Sequence, residues 1–210
     1  MCPSTAETTE GTPRRGRRAA ASQLDVIEAA MHRYLRGRRV DVQAIAVELG
    51  LGRTTIYRWF GSREQLIGEV LVRAATPLFD EARAGARGTG AARLLDAFDR
   101  FNRGLRDATA LRQFVEAERE AALRIITSGA GNVQPQIVAL ITGLIEEEVR
   151  GGNYDPPVEP AALGYAIVRL AEAFLFNEAA AAMPADVERL RQVEAALLGV
   201  RAPGARGGET

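Results

Sequence analysis

Hydrophobic positions recur along most of this chain at intervals of three and four, the period of one face of a helix. Val26, Ile27, Ala30, Met31, Tyr34 and Leu35 form one such stripe, which predicts a helix from Ala19 that stops at Gly37. Val42, Ile45, Ala46 and Leu49 form a second, on a helix of about two turns, with Asp41 as N-cap and Gly50 as a left-handed exit. A third short helix runs from Arg53 to Gly61. It points Ile56 and Phe60 one way and leaves Arg53, Thr54, Thr55 and Arg58 facing elsewhere. Ser62 followed by Gln65 has the spacing of a capping box, so a fourth helix starts at Arg63 and runs toward Ala84. Beyond the glycines of residues 85–90, the same period predicts helices near 91–107, 111–128, 133–150, 159–182 and 185–200, with breaks at 129–132 and 151–157.

Three helical segments with a tight glycine turn between the second and third make a helix-turn-helix. Such a unit reads DNA when the third helix exposes polar side chains at its N-terminal end and phosphate donors stand at its flanks. Arg53, Thr54 and Thr55 fit the first requirement; Tyr57, Trp59 and Arg63 fit the second. Trp59 lies beside the core candidates Ile56 and Phe60, so its ring is expected partly buried with the indole N–H outward. The expected organisation is a disordered Arg-rich arm (1–18), a helix-turn-helix head (19–70), a larger helical body (71–202) and a disordered tail (203–210).

Composition agrees with an all-α fold, since aromatics make up only 6% while alanine is abundant. A chain of 210 residues at 47% hydrophobic content can bury one medium core, or a small and a larger one. Formal net charge is zero, which taken alone argues against a nucleic-acid partner. The distribution reverses that inference. Between Gly11 and Arg73 twelve arginines face six acids, so a head of charge +6 sits on a remainder of −6. Arg14, Arg15, Arg17 and Arg18 precede the first helix, where a flexible arm reaches a minor groove or adjacent phosphates; otherwise they are a solvated tail.

Other chemistry finds little footing. Cys2 is the one cysteine and His32 the one histidine, so neither a disulfide nor a Cys/His metal site is expected, and His32 reads as structural. Glu116, Glu118 and Glu120, and the run Glu146 to Glu148, read as solvated helix faces. Arg169 and Glu172 differ, because opposite charges at i,i+3 inside the most apolar helix suggest a buried or interface ion pair, with a ligand contact as the second reading. The apolar tract 161–183 is long enough to span a bilayer but carries Arg169, Glu172 and Glu178. No signal-peptide pattern opens the sequence, and a cytoplasmic protein without membrane partners is expected. No catalytic residue and no cofactor is expected, for want of a nucleophile with a base or a glycine-rich phosphate loop.

At residues 40–71, "VDVQAIAVELGLGRTTIYRWFGSREQLIGEVL", the chain closely resembles the DNA-binding domain of the TetR family of bacterial transcriptional regulators. Gly52 stands where that turn often ends in Ser or Thr, and Trp59 where the family often has His. The resemblance implies a dimeric repressor whose body binds a small inducer and dimerises through its last two helices. It places Gln43, Arg53, Thr54, Thr55 and Arg58 near base edges or adjacent backbone, and Tyr57, Trp59 and Arg63 on phosphates. Within the body, "ALRQFVEAEREAALRIIT" and "YAIVRLAEAFLFNE" are similar to QsdR-type members, which brings a lactone or acyl-type inducer into consideration without fixing it.

A regulator of this kind needs a cavity. Phe98, Phe101, Phe114, Ile126, Ile141 and Leu144 are its expected wall, with Asn102, Gln113, Glu118 or Arg169 as orienting polar groups. Leu163, Ile167, Leu170 and Phe174, and Val187, Leu190, Val193 and Leu197, are the expected stripes of a four-helix interface between two copies. The expected function is a ligand-responsive repressor released from a pseudo-palindromic operator by a small, largely apolar inducer. The alternatives are an activator, or a helical ligand-binding or interaction protein that does not read DNA sequence.

Overall fold

A computed structural model describes residues 21–176 and 186–200. The expected arm with Arg17 and Arg18, the tail at 203–210 and the end of the helix expected at 159–182 lie outside the described residues. Ten helices and no strand are found among those described: α1 Gln23–Leu35, α2 Val42–Leu49, α3 Arg53–Phe60, α4 Arg63–Gly85, α5 Gly90–Asp107, α6 Thr109–Ala117, α7 Arg119–Thr127, α8 Val133–Arg150, α9 Pro160–Phe176 and α10 Val187–Leu197. The all-α expectation holds.

Local chemistry sets the first helices. Ser22 and Asp25 form a reciprocal capping box at the start of α1. Asp41 accepts from the N–H groups of Gln43 (2.8 Å) and Ala44 (3.4 Å) to open α2, and Gly50, at φ +65°, closes it. Of the box expected at Ser62, only one half forms: Ser62 Oγ accepts from the Gln65 N–H at 3.1 Å.

Two apolar cores share α4. In the first, Val26, Ala30, Ile45, Ile56, Leu66 and Ile67 close the helix-turn-helix from within, and the cluster continues through Leu111, Phe114 and Ile125 of α6 and α7. Tyr34 meets Phe114 edge to face, ring centroids 6.3 Å apart. The second core packs Phe79, Leu94, Phe98, Phe101, Leu144 and Leu163 from α4, α5, α8 and α9. There α8 and α9 lie so close that a Cβ on Gly164 would stand 2.3 Å from Thr142 Oγ1.

Three expectations fail here. The helix expected over 111–128 is two, broken at Glu118 (φ −136°, ψ 48°), whose carboxylate is drawn to Arg63 at 2.7 Å. No glycine or proline marks that break, so a tertiary ion pair overrides local propensity. The run Glu146 to Glu148 is not a uniformly solvated face: Glu148 is buried, accepts from the Gly90 N–H at 2.7 Å and pairs with Arg93. Among the residues expected at a dimer interface, Leu163, Ile167, Val187 and Leu190 are each no more than 2% exposed against their own chain. The helical period was read correctly there, but these four residues face inward.

Candidate functional site

Helix α3 is held by one buried side chain, Ile56. Around that anchor Arg53, Thr54, Tyr57 and Arg58 are exposed, Thr55 and Trp59 are half-buried, and Gln43 of α2 is exposed nearby in sequence. Gly52 supplies no side-chain cap to α3. Arg63 sits differently from the phosphate position expected of it. Its Nε donates to the Val40 carbonyl (2.7 Å) and its Nη2 to Glu118 Oε1 (2.7 Å), so the guanidinium ties the α1–α2 loop and the start of α4 to the α6–α7 break. Arg39 approaches the same carboxylate at 3.8 Å.

Within the body lies a cavity of about 390 Å³ bounded by residues of α1, α4, α5 and α6 to α10. Phe98, Phe101, Asn102, Ile126 and Ile141 line it, while Phe114, Glu118, Leu144 and Arg169 do not. Phe114 and Glu118 border a second cleft, of about 370 Å³, at the junction of head and body, together with Gln113, Gly37 and Arg39. Leu144 is packed in the second core. Arg169 is about half exposed and donates to Glu172 (2.7 Å) and to the Thr127 carbonyl (3.1 Å). Tyr34 borders both spaces, and burial pushes its phenol up to about 12.

The cavity wall also holds Glu172, which does form the ion pair with Arg169 expected from the sequence, and Gln134 and Glu194, which sequence reasoning missed. Glu172 is buried and accepts from Gln134 Nε2 (3.0 and 3.2 Å) as well as from Arg169, yet desolvation still raises its carboxyl above the ordinary range. Glu194 is fully buried, and Asn102 Nδ2 donates to its Oε1 at 3.0 Å. Its carboxyl rises to about 8, chiefly because burial disfavours the charge and in part because Asp99 is near. Sequence offered one signal for these acids: each shares a helix face with apolar residues, Glu172 with Val168 and Glu194 with Leu190 and Leu198.

On the outer faces of α9 and α10, Leu170, Phe174 and Leu197 are half-buried, and Tyr165 and Val193 are 51% and 38% exposed. No group of His, Cys, Asp and Glu among the described residues could hold a metal ion, and no helix among them is long and apolar enough to cross a membrane.

Known proteins resemble this arrangement. A family model described as "Tetracyclin repressor-like, C-terminal domain" matches residues 89–199. Among solved structures the chain is similar to the R. erythropolis transcriptional repressor QsdR from the TetR family, with 28% identity and a TM-score of 0.81 over 88% of this chain and 97% of that one. It shares the fold of AlkX, a TetR family repressor from Dietzia sp. strain DQ12-45-1b implicated in biodegradation of n-alkanes, at 21% identity and a TM-score of 0.57, over 85% of this chain and 94% of that one. No curated protein matches the chain.

Proposed function

We propose that this chain, which belongs to the TetR family of transcriptional regulators, is a repressor that leaves its operator when a small, largely apolar inducer enters the cavity between α4, α5, α8 and α9. The observation that carries the reading is one continuous piece of packing. The core beneath the exposed polar face of α3 runs without interruption into α6 and α7, and α4 lines the cavity with Leu71, Ala74, Ala75 and Leu78.

In this reading Arg53 and Thr54 meet base edges, with Gln43, Thr55 and Arg58 on bases or adjacent backbone and Tyr57 and the Trp59 indole N–H on phosphates. Arg17 and Arg18 extend the contact along the duplex. Arg63 instead positions the head. Two copies associate through the outer faces of α9 and α10, where Tyr165, Leu170, Phe174, Val193 and Leu197 leave apolar surface uncovered, and the dimer sets two recognition helices on the half-sites of an inverted repeat. An inducer acts through its preference for the arrangement in which those helices are badly spaced.

The test is selection from a random-duplex pool by the purified protein near physiological salt, where non-specific binding is suppressed. Enrichment of an inverted repeat is expected. A pool that stays random with a folded dimer would overturn the sequence-specific reading and leave a helical ligand-binding protein.

A further inference from the structure

Among the described residues of the cavity wall, Glu194 is the buried polar side chain with an oxygen left unpartnered. It is fully buried, its Oε1 accepts from Asn102, and its Oε2 is buried without a hydrogen-bond partner in the protein. Both residues line the cavity. An unsatisfied buried oxygen costs its full desolvation penalty, so a fold that keeps one in the wall of a binding space gains when a small side-chain shift lets a ligand satisfy it. We propose that Glu194 Oε2 donates a hydrogen bond to an acceptor oxygen of a neutral, largely apolar ligand, with Asn102 fixing the carboxyl group's orientation. This rests on the reading of the cavity as an inducer site and specifies the chemistry of what enters it.

The surroundings decide between donor and acceptor. No Arg, Lys or His among the described residues lines the cavity. Helix α5 brings Asp99 toward Glu194, and Asp99 is itself paired with Arg103 (3.0 Å) and approached by Arg191 (3.8 Å). Helix α9 brings Glu172, whose charge is met by Arg169 and Gln134. On α10 itself Arg189 pairs with Asp186, and Glu188 accepts from Arg103. No cation among the described residues therefore compensates Glu194, its carboxyl stays protonated up to about pH 8, and a protonated carboxyl offers one O–H donor. With Oε1 engaged by the Asn102 amide, that hydrogen belongs on Oε2. An anionic ligand would meet two acids and no lining cation; a carbonyl or ether oxygen would meet a donor.

The experiment follows displacement of the dye N-phenyl-1-naphthylamine from the full chain by four ten-carbon probes: methyl octyl ketone, decane, decanoate and decylamine. At pH 6.5 the ketone is expected to bind about tenfold more tightly than decane and decanoate, the worth of one good hydrogen bond. At pH 9.5, with Glu194 ionised, that advantage disappears. Glu194→Gln places an amide N–H₂ where the O–H stood and keeps the advantage at both pH values; Glu194→Leu loses it at both. If decylamine binds best and Glu194→Gln abolishes this, Glu194 is a carboxylate acceptor and the proposal is overturned. Equal binding of ketone and decane by the unaltered protein overturns it too, as does failure of every probe to displace the dye. The readout involves no DNA, so a failed operator selection and a failed ligand preference remain separate results.

Discussion

Replacing Glu118 by Ala removes a carboxylate at which the head and the body meet. Arg63 Nη2 lies 2.7 Å from Glu118 Oε1, with the two side chains 21% and 17% exposed. Exposed pairs contribute up to about 1 kcal/mol and fully buried ones cost about 3–5 kcal/mol when one partner is removed. A half-buried, charge-assisted bond falls between them, so Glu118→Ala should cost about 2 kcal/mol. The contact from Arg39, at 3.8 Å and 74% exposed, adds little. Arg63→Ala should cost somewhat more, because the Val40 carbonyl loses its donor as well. The two losses share one bond, so a double-mutant cycle in urea should return a coupling of about 1–2 kcal/mol, read from midpoints at constant denaturant slope. A coupling below about 0.5 kcal/mol would refute the claim that this pair holds the junction. A functional readout accompanies it: Glu118→Ala should bind the selected operator within a few-fold of the unaltered protein yet release it less completely on adding inducer. Unchanged release would show that the pair braces the head without coupling it.

Arg53→Ala should weaken operator binding by about 1–3 kcal/mol with an unchanged melting temperature, measured by fluorescence anisotropy, since its side chain is exposed and contributes little to the fold. Glu194→Gln should flatten the pH dependence of stability. The carboxyl rises from 4.5 to about 8 on folding, so its contribution is complete below 4.5, declines as the unfolded chain alone ionises, and is exhausted near pH 8. The variant's stability relative to the unaltered protein should therefore grow by a few kcal/mol between those pH values, with about 5 kcal/mol as the ceiling; parallel urea profiles would refute it. Gly164→Ala should cost about 1–3 kcal/mol by overpacking α9 on α8, partly relieved by Thr142→Ala, which removes the oxygen the new Cβ would strike. Tyr165→Arg should dissociate the dimer in sedimentation with little change to the protomer's fold, whereas Leu163→Ala should cost about 2–5 kcal/mol of stability.

What the sequence made legible was local. Asp41, Gly50 and Ser62 are read from their immediate neighbours, because a cap answers to the two or three N–H groups beside it. The exposed face of α3 followed from helical period alone, since Ile56 fixes which side is inward. The failures share a different cause. The α6–α7 break depends on Arg63, 55 residues from Glu118, and the Asn102–Glu194 bond closes over 92 residues. Nothing near Glu118 in the sequence distinguishes it from a surface charge, and the apolar face Glu194 shares with Leu190 and Leu198 marks burial without naming its partner. Helix α9 is apolar on more than one side, so period could not tell Leu163 and Ile167, which face the core, from Leu170 and Phe174, which do not.

The continuity of the two cores limits how an occupied cavity can act on DNA. If the head were tethered by a loose linker, a ligand could alter its average position only by ordering that linker. Here Leu66 and Ile67 of α4 sit in the core beneath α3, while Leu71, Ala74, Ala75 and Leu78 of the same helix line the cavity. At about 1.5 Å per residue, α4 is a rod of roughly 35 Å joining the two. Interiors packed to crystal density transmit displacement instead of absorbing it. A ligand that pushes on Leu71 or Leu78 must then move the head as a body, pivoting where the packing is least continuous. The second cleft is the gap in packing at that junction, where Tyr34 borders both spaces and Gly37 adopts φ +63°. The Arg63–Glu118 bond spans the same junction, so pivoting must stretch or re-form it. An interaction worth about 2 kcal/mol is of the size that allosteric coupling requires, since a coupling of about 1.4 kcal/mol changes operator affinity tenfold. In the proposed mechanism this bond, one of several that join head and body, is the one whose loss or retention would separate the two states.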